Sequence, residues 1–379
     1  MTRPAIIILL LLIFGVAGPS SANAEWRDNL PDGLRLDGRC FWAGGYSFAR
    51  PFLNEGPFTE ANLRFNGRYN FDPRWKLEFA WQVDGIYYEG ISRMSDSGTG
   101  GVADLAWMID EKSNWRASHF FDRLSLNYRA DDFTLDIGRQ RIAWGTTFSM
   151  SFMDMFHPLQ PGNPFVPEQA GTDAVRLQVP TGPIAGWDFL YAWFDNHGDE
   201  AFAAKYHDVH GDFESAMSAG RIHGGDFAAF QTTGDVNDVG IRLEAAWRDT
   251  GDGEPYQLAL ESDYAPNSST YLSGEVFYNG PGATGPEGYS LAGLGGGSLY
   301  VGRWYAGTSC TYNPGGLSTL SLYGIANLSD DSWFADLAVL HSASDSTDLR
   351  IGFQHYEGHI LSEYGLLPDI IYFISTTYF

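Results

Sequence analysis

The sequence predicts an all-β transmembrane antiparallel β-barrel, with sixteen strands expected and fourteen or eighteen as alternatives. Three observations predict it: an export signal at the start, period-two alternation of apolar and polar residues, and a chain that ends on Phe379. Arg3 precedes an apolar run from Ala5 to Val16, and Ala22-Asn23-Ala24 stands before Glu25. A basic start, a short apolar core and an A-x-A site are the parts of a secretory signal peptide. The run is shorter than the about 20 residues a spanning helix needs. Residues 1–24 are therefore expected to be removed and 25–379 to form one outer-membrane barrel domain, with no repeat period or Pro/Ser-rich linker to divide it.

Composition narrows the class. Aromatic residues make up 15% and charged residues 18% of the chain, with 45 glycines. Soluble domains carry about 25% charged residues, whereas an apolar outer face with aromatic girdles fits a membrane barrel. The net charge is −24, and three lysines stand beside twenty arginines. Nucleic-acid binding is excluded, because phosphate contacts need clustered positive charge. Cys40 and Cys310 lie far apart without metal-type spacing and read as small strand residues.

Alternation places the strands. Trp75, Leu77, Phe79, Trp81 and Val83 alternate with Lys76, Glu78, Ala80, Gln82 and Asp84. Successive strand side chains point to opposite faces, so one face is apolar and the other polar. Leu63 to Tyr69, Leu124 to Tyr128, Val175 to Val179, Trp187 to Trp193, Val239 to Trp247 and Leu349 to Phe353 repeat the pattern. Short turns such as Asp72-Pro73-Arg74 alternate with long polar stretches at Gly90–Arg116, Gly145–Thr172, Asn196–Ser218 and Pro281–Ser298. That is the asymmetry of tight periplasmic turns and longer outer loops. Fifteen strands are clear, and since both ends belong in the periplasm the number is even, which puts a hidden strand in Ala219–Thr232.

The strand Phe133–Gly145 holds Gly138-Arg139-Gln140-Arg141-Ile142-Ala143-Trp144-Gly145. Strict alternation after Phe133, Leu135 and Ile137 would send Arg139 and Arg141 into lipid, at about 2–4 kcal/mol each at mid-membrane. Either a bulge near Gly138 turns them inward, leaving Gln140 awkward, or Arg139 already sits at the outer interface. This stretch, with Gly171-Thr172-Asp173-Ala174-Val175-Arg176-Leu177 and Tyr271 to Gly280, resembles a group of poorly characterised porin-like outer-membrane barrels of Gram-negative bacteria. The matches cover about a tenth of the chain, and Phe156-His157-Pro158-Leu159 departs from the group's pattern. The resemblance implies fold, an outer-membrane location among lipid and lipopolysaccharide, and channel function, but no solute. By analogy with general porins, loop Gly145–Thr172, with Phe148, Met150, Phe152, Met155 and Phe156, is expected to fold inside as a constriction, with an outer lid or oligomer contact as the alternative.

Inward-facing charges are expected at Arg123, Arg129, Arg176, Arg242, Arg248 and Arg350, with Arg139 and Arg141 if the bulge exists. Glu78, Asp84, Asp136, Glu244 and Asp263 are the acidic counterparts. They read either as a ladder steering anions or as cross-strand ion pairs stiffening a wet lumen. His207, His210 and His223 are a weak metal signal, and Asp249 to Glu254 lacks a full calcium-loop spacing. No G-x-S-x-G element occurs, and none of His119, His341, His355 and His359 neighbours a compelling nucleophile. The expected function is a passive porin-like channel for small hydrophilic solutes, without cofactor or catalysis. A scaffold or sheath for a periplasmic partner complex, a homo-oligomer and, less well supported, an outer-membrane enzyme are the alternatives.

Overall fold

The computed structural model describes residues 30–50, 54–89, 102–156, 163–165, 168–194, 199–249, 251, 253–289 and 300–379. The expected signal segment lies outside them. The strands are β1 (Leu34–Ser47), β2 (Gly56–Asn70), β3 (Trp75–Tyr88), β4 (Ala106–Lys112), β5 (Trp115–Arg129) and β6 (Thr134–Gln140). Next come β7 (Thr172–Pro180), β8 (Gly186–Trp193), β9 (Glu200–His210), β10 (Phe213–Ile222), β11 (Gly225–Val236) and β12 (Val239–Arg248). The wall is completed by β13 (Tyr256–Asn267), β14 (Thr270–Asn279), β15 (Trp304–Tyr312), β16 (Ser318–Asn327), β17 (Ser332–Ser344), β18 (Thr347–Glu357) and β19 (Ile370–Tyr378).

Each strand pairs with the next, and β1 pairs with β19 from Arg39↔Tyr378 to Ser47↔Ile370, which closes the barrel. Closure matters because a membrane offers no water to an unpaired strand edge. Phe379 finishes the seam: its backbone exchanges hydrogen bonds with Gly38, and its ring meets Phe65 edge-on at 5.5 Å. β4 stands outside the ring, since β3 pairs with β5 directly. Eighteen strands therefore close the barrel, the upper of the alternatives rather than sixteen.

The additional strands come from a stretch expected to be a loop. Residues 196–218 include β9 and the first part of β10, and the single hidden strand expected in 219–232 is shared between β10 and β11. The physical reason lies inside the wall. Ala192, Ala201, Ala203 and Ala229 face inward and are buried against Ile142, Trp144, Met153 and Phe156. An inner face of alanines carries no polar half to alternate against the apolar outer half, so the period-two signal fades.

Elsewhere the outer face reads as expected. Trp75 and Tyr128 touch at 4.7 Å, as do Trp187 and Tyr206 at 5.0 Å, near the end that carries the termini. Tyr191 with Trp193 and Tyr278 with Trp304 mark the opposite rim. Between these belts Phe189, Leu260, Val276, Leu337 and Ile351 are exposed on the outside. These are the girdles and apolar band of a transmembrane barrel.

β6 is a short strand of seven residues, and the chain then leaves the wall. The β5–β6 pairing runs without a shift from Leu124↔Arg139 to Arg129↔Thr134. Gln140 thus keeps the inward parity of Asp136, and the register-shifting bulge is not present. Arg139 keeps the parity of Ile137 but is only 2% exposed. Its guanidinium binds Asp173 at 2.8 and 3.0 Å and donates to the Ala103 carbonyl at 2.8 Å. Gly138 adopts φ +118° at this point, where a Cβ would lie 2.3 Å from the Leu124 carbonyl oxygen. β4 continues along the edge of β5 that β6 leaves bare, so the segment leading into it covers the ion pair.

Removing one partner from a buried ion pair costs about 3–5 kcal/mol. Arg139→Ala should therefore lower the unfolding free energy, obtained from urea titrations in lipid vesicles, by an amount in that range. A change near zero would contradict the sealing role of the pair.

Candidate functional site

Beyond Gln140 the chain crosses into the lumen, and its first task is to satisfy the backbone groups it takes inside. Asp154 holds the entrance, accepting from the Trp144 and Gly145 amides at 2.9 and 2.8 Å and from Gln169 at 2.9 Å. The Trp144 indole donates to Asp188 at 3.2 Å, and its carbonyl accepts from Gln231 at 2.8 Å.

Three inward carboxylates on successive strands take the next amides. Glu244 of β12 accepts from the Thr146 and Thr147 amides at 2.5 and 3.0 Å, from the Ser151 hydroxyl at 3.0 Å, and from the Met153 amide at 3.4 Å. Glu261 of β13 accepts from the Phe148 amide at 2.5 Å. Glu275 of β14 accepts from the Met150 amide at 3.2 Å. From the opposite rim the Tyr300 hydroxyl donates to the Ser149 carbonyl at 3.2 Å.

Apolar side chains lock the same segment. Met150, Met153 and Phe156 are buried, and Phe152 stacks on Phe277 at 5.7 Å. Met155 packs against the wall of β8 to β11. Phe148 alone among these points into open space, 73% exposed. All five apolar loop residues singled out from the sequence therefore lie on the inserted segment, four packed and one free.

Toward the terminal end a cavity of about 640 Å³ opens below that segment. Arg123, Arg129, Arg141 and Arg176 line it together with Asp136 and Glu78, and Arg35 and Arg68 complete the basic side. Arg176 is paired with Asp188 at 2.6 Å, and Arg123 with Asp122 at 2.7 Å. Arg141 donates to Gln169, and Arg35, Arg129 and Arg141 form no ion pair among the described residues. Arg242 bridges Asp263 and Glu261 on the far wall, and Arg350 pairs with Asp336 at 2.9 Å. Arg248 lies opposite Phe227 at the other rim, outside the cavity lining. Asp84 is buried between Asn62 and Gln82. Arg139 lies in the wall, as described above.

Sequence reasoning missed Glu261, Glu275, Arg35 and Arg68. Glu275 sits within the Tyr271–Gly280 stretch, and the signal that could have found both glutamates is an inward carboxylate at the middle of a strand. His207 and His210 lie on β9, and His223 lies at the opposite end, bonded to Asp199. No cluster of metal-ligating residues occurs among the described residues. Ser318 and His341 touch at 2.9 Å as exposed cross-strand neighbours.

The outer rim holds one unusual carboxylate. Glu363, between β18 and β19, accepts from the Tyr305 hydroxyl at 2.7 Å and from Asn327 at 2.8 Å, and its amide donates to Asp330. Burial, with the Asp330 carboxylate beside it, pushes the Glu363 carboxyl up to about 7.

No family model matches the sequence, and no curated protein does. Solved structures do match the fold. OccAB4 of Acinetobacter baumannii superposes with TM-score 0.59 at 8% identity, over 92% of this chain and 100% of that one. OccK7 (OpdD) of Pseudomonas aeruginosa gives 0.55 at 12% identity, over 91% and 99%. OccAB1 of A. baumannii gives 0.58 at 10% identity, over 92% and 97%. The fold is that of the Occ outer-membrane porins. The porin-like group resembled in sequence and the fold neighbours thus agree.

A carboxyl raised from its free value to about 7 favours the packed rim while protonated. Stability of the packed rim should fall as pH rises from about 4.5 to 7 and level off above that. Hydrogen exchange of residues 358–369, corrected for intrinsic rates, should quicken across this interval, and Glu363→Gln should flatten the dependence. A pH-independent wild type would contradict it.

Proposed function

We propose that this protein is a passive outer-membrane channel for small hydrophilic solutes, narrowed by the 145–172 loop and mildly anion-preferring. The observation that carries the reading is the arrangement of charge around the inserted segment. Below it the lumen remains open, with Arg35, Arg129 and Arg141 free of ion pairs among the described residues. Around it the acidic groups are already engaged: Glu244, Glu261 and Glu275 with loop amides, Asp188 with Arg176, Asp336 with Arg350. A permeant entering the cavity therefore meets more guanidinium groups than carboxylates, with Asp37, Glu78 and Asp136 as the acidic residues of the lining. Fixed charge along a narrow water-filled path selects ions by sign, and the bore selects by size.

The fold neighbours, whose barrels are outer-membrane porins, support channel function rather than catalysis. The outward apolar band supports residence in lipid, with residues 1–24 removed on export.

Purified protein in a planar bilayer should show stable conductance steps, and under a salt gradient the reversal potential should have the sign of anion preference. Replacing Arg129 and Arg141 together by Gln should reduce the anion-to-cation permeability ratio by about twofold or more. Strong cation preference in the wild type would overturn the charge assignment. Silence from folded, heat-modifiable protein would overturn the channel itself.

A further inference from the structure

We propose that Glu244, Glu261 and Glu275 are the positioning residues that set the bore, by holding the inserted loop through its own backbone amides. This rests on the channel reading and adds what fixes the constriction.

The three carboxylates form a staircase on β12, β13 and β14. Glu261 and Glu275 are direct cross-strand partners, and Glu244 faces Ala259, one step away on the same inner face. Like charges directly opposite each other in a sheet are destabilising. Arg242 approaches Glu261 at 3.4 Å but reaches neither of the others. What converges on all three is a run of loop amides: Thr146, Thr147, Phe148, Met150 and Met153. Successive amides turned toward one side make an anion-binding concavity, and here the bound anions are the barrel's own side chains. A buried carboxyl oxygen and a buried amide each lose their water on folding, and pairing them satisfies both. The loop screens a repulsion that the wall would otherwise carry, and the wall satisfies amides that the loop brings out of water.

The consequence for permeation is geometric. The Phe148 amide is fixed on Glu261 while its ring stands free, so the staircase determines how far that ring reaches across the lumen.

The three positions also differ in a testable way. Both oxygens of Glu244 receive donors, Oε1 from two amides and Oε2 from the Met153 amide, with Ser151 reaching either. Glutamine offers one acceptor and turns an N–H₂ toward donors, so Glu244→Gln should disturb the loop strongly. Glu275 takes only the neighbouring Ser149 and Met150 amides, Met150 at 3.2 Å from either oxygen. Glu275→Gln can turn its one carbonyl to this adjacent pair and should disturb the loop less than Glu244→Gln. A role in filling space alone would make the two indistinguishable.

The experiment places nitroxide labels at Phe148→Cys and Asp132→Cys, with Cys40→Ser and Cys310→Ser as background, in full-length folded protein. Pulsed electron resonance should give one narrow distance in the parent. The distribution should broaden with Glu244→Gln, stay close to the parent with Glu275→Gln, and become broad with all three positions as Ala. Asp336→Ala, at a buried carboxylate bonded to Arg350, Gln354 and Tyr372, should leave it narrow. Equal distributions for the two glutamine variants, or a narrow one for Glu244→Gln, overturn the proposal. Single-channel conductance of the unlabelled triple variant should rise by about twofold or more. If the parent never conducts while the label distances respond as stated, the channel reading fails and the positioning role stands.

Discussion

A polypeptide that enters a barrel must find a partner for every backbone group it carries with it, and the rest of this structure follows from how that requirement is met. The amides of Trp144 to Phe148, of Met150 and of Met153 go to Asp154, Glu244, Glu261 and Glu275. The wall has therefore become three different surfaces. β8 to β11 present small apolar residues where the loop packs, β12 to β14 present carboxylates where its amides point, and the strands around the cavity keep arginines where the lumen stays open.

This division explains which parts of the fold could be read from sequence. The lipid face obeys one rule throughout, so Trp75 to Val83 and Val239 to Trp247 announce their strands and the barrel class follows. The inner face obeys that rule only where it is wet. Along β9 to β11 the partner is protein, alanine replaces polar residues, and the alternation needed to see three strands is missing. The ring has an even number of strands, and the two beyond sixteen lie where loop and wall meet. β4 was hidden for a related reason: it fills an edge vacated by β6, a need that arises only once the chain has turned inward.

The site was legible in part. The apolar character of Phe148 to Phe156 marked the segment as one that would not remain in water, and Met150 to Phe156 pack against the wall while the Phe148 ring stays exposed. Arg139 and Gln140 could not be resolved by alternation, because the solution is tertiary. Asp173 and the Ala103 carbonyl neutralise an arginine on outward parity, leaving Gln140 free to face the lumen. Glu261 and Glu275 are carboxylates in mid-strand, and nothing in a single strand reveals that an amide from more than a hundred residues away will bind there. The net charge of −24 is equally silent about the lumen, where the charges that matter are those left unpaired.

The central claim is that residues 146–153 stand inside the conducting path with Phe148 at its free edge. The most direct measurement is modification of a single Phe148→Cys, in a Cys40→Ser, Cys310→Ser background, by a charged thiol reagent during bilayer recording. The account predicts a stepwise change in open-channel current as each pore is labelled. Complete labelling with an unchanged current would place that side chain outside the path and contradict the account.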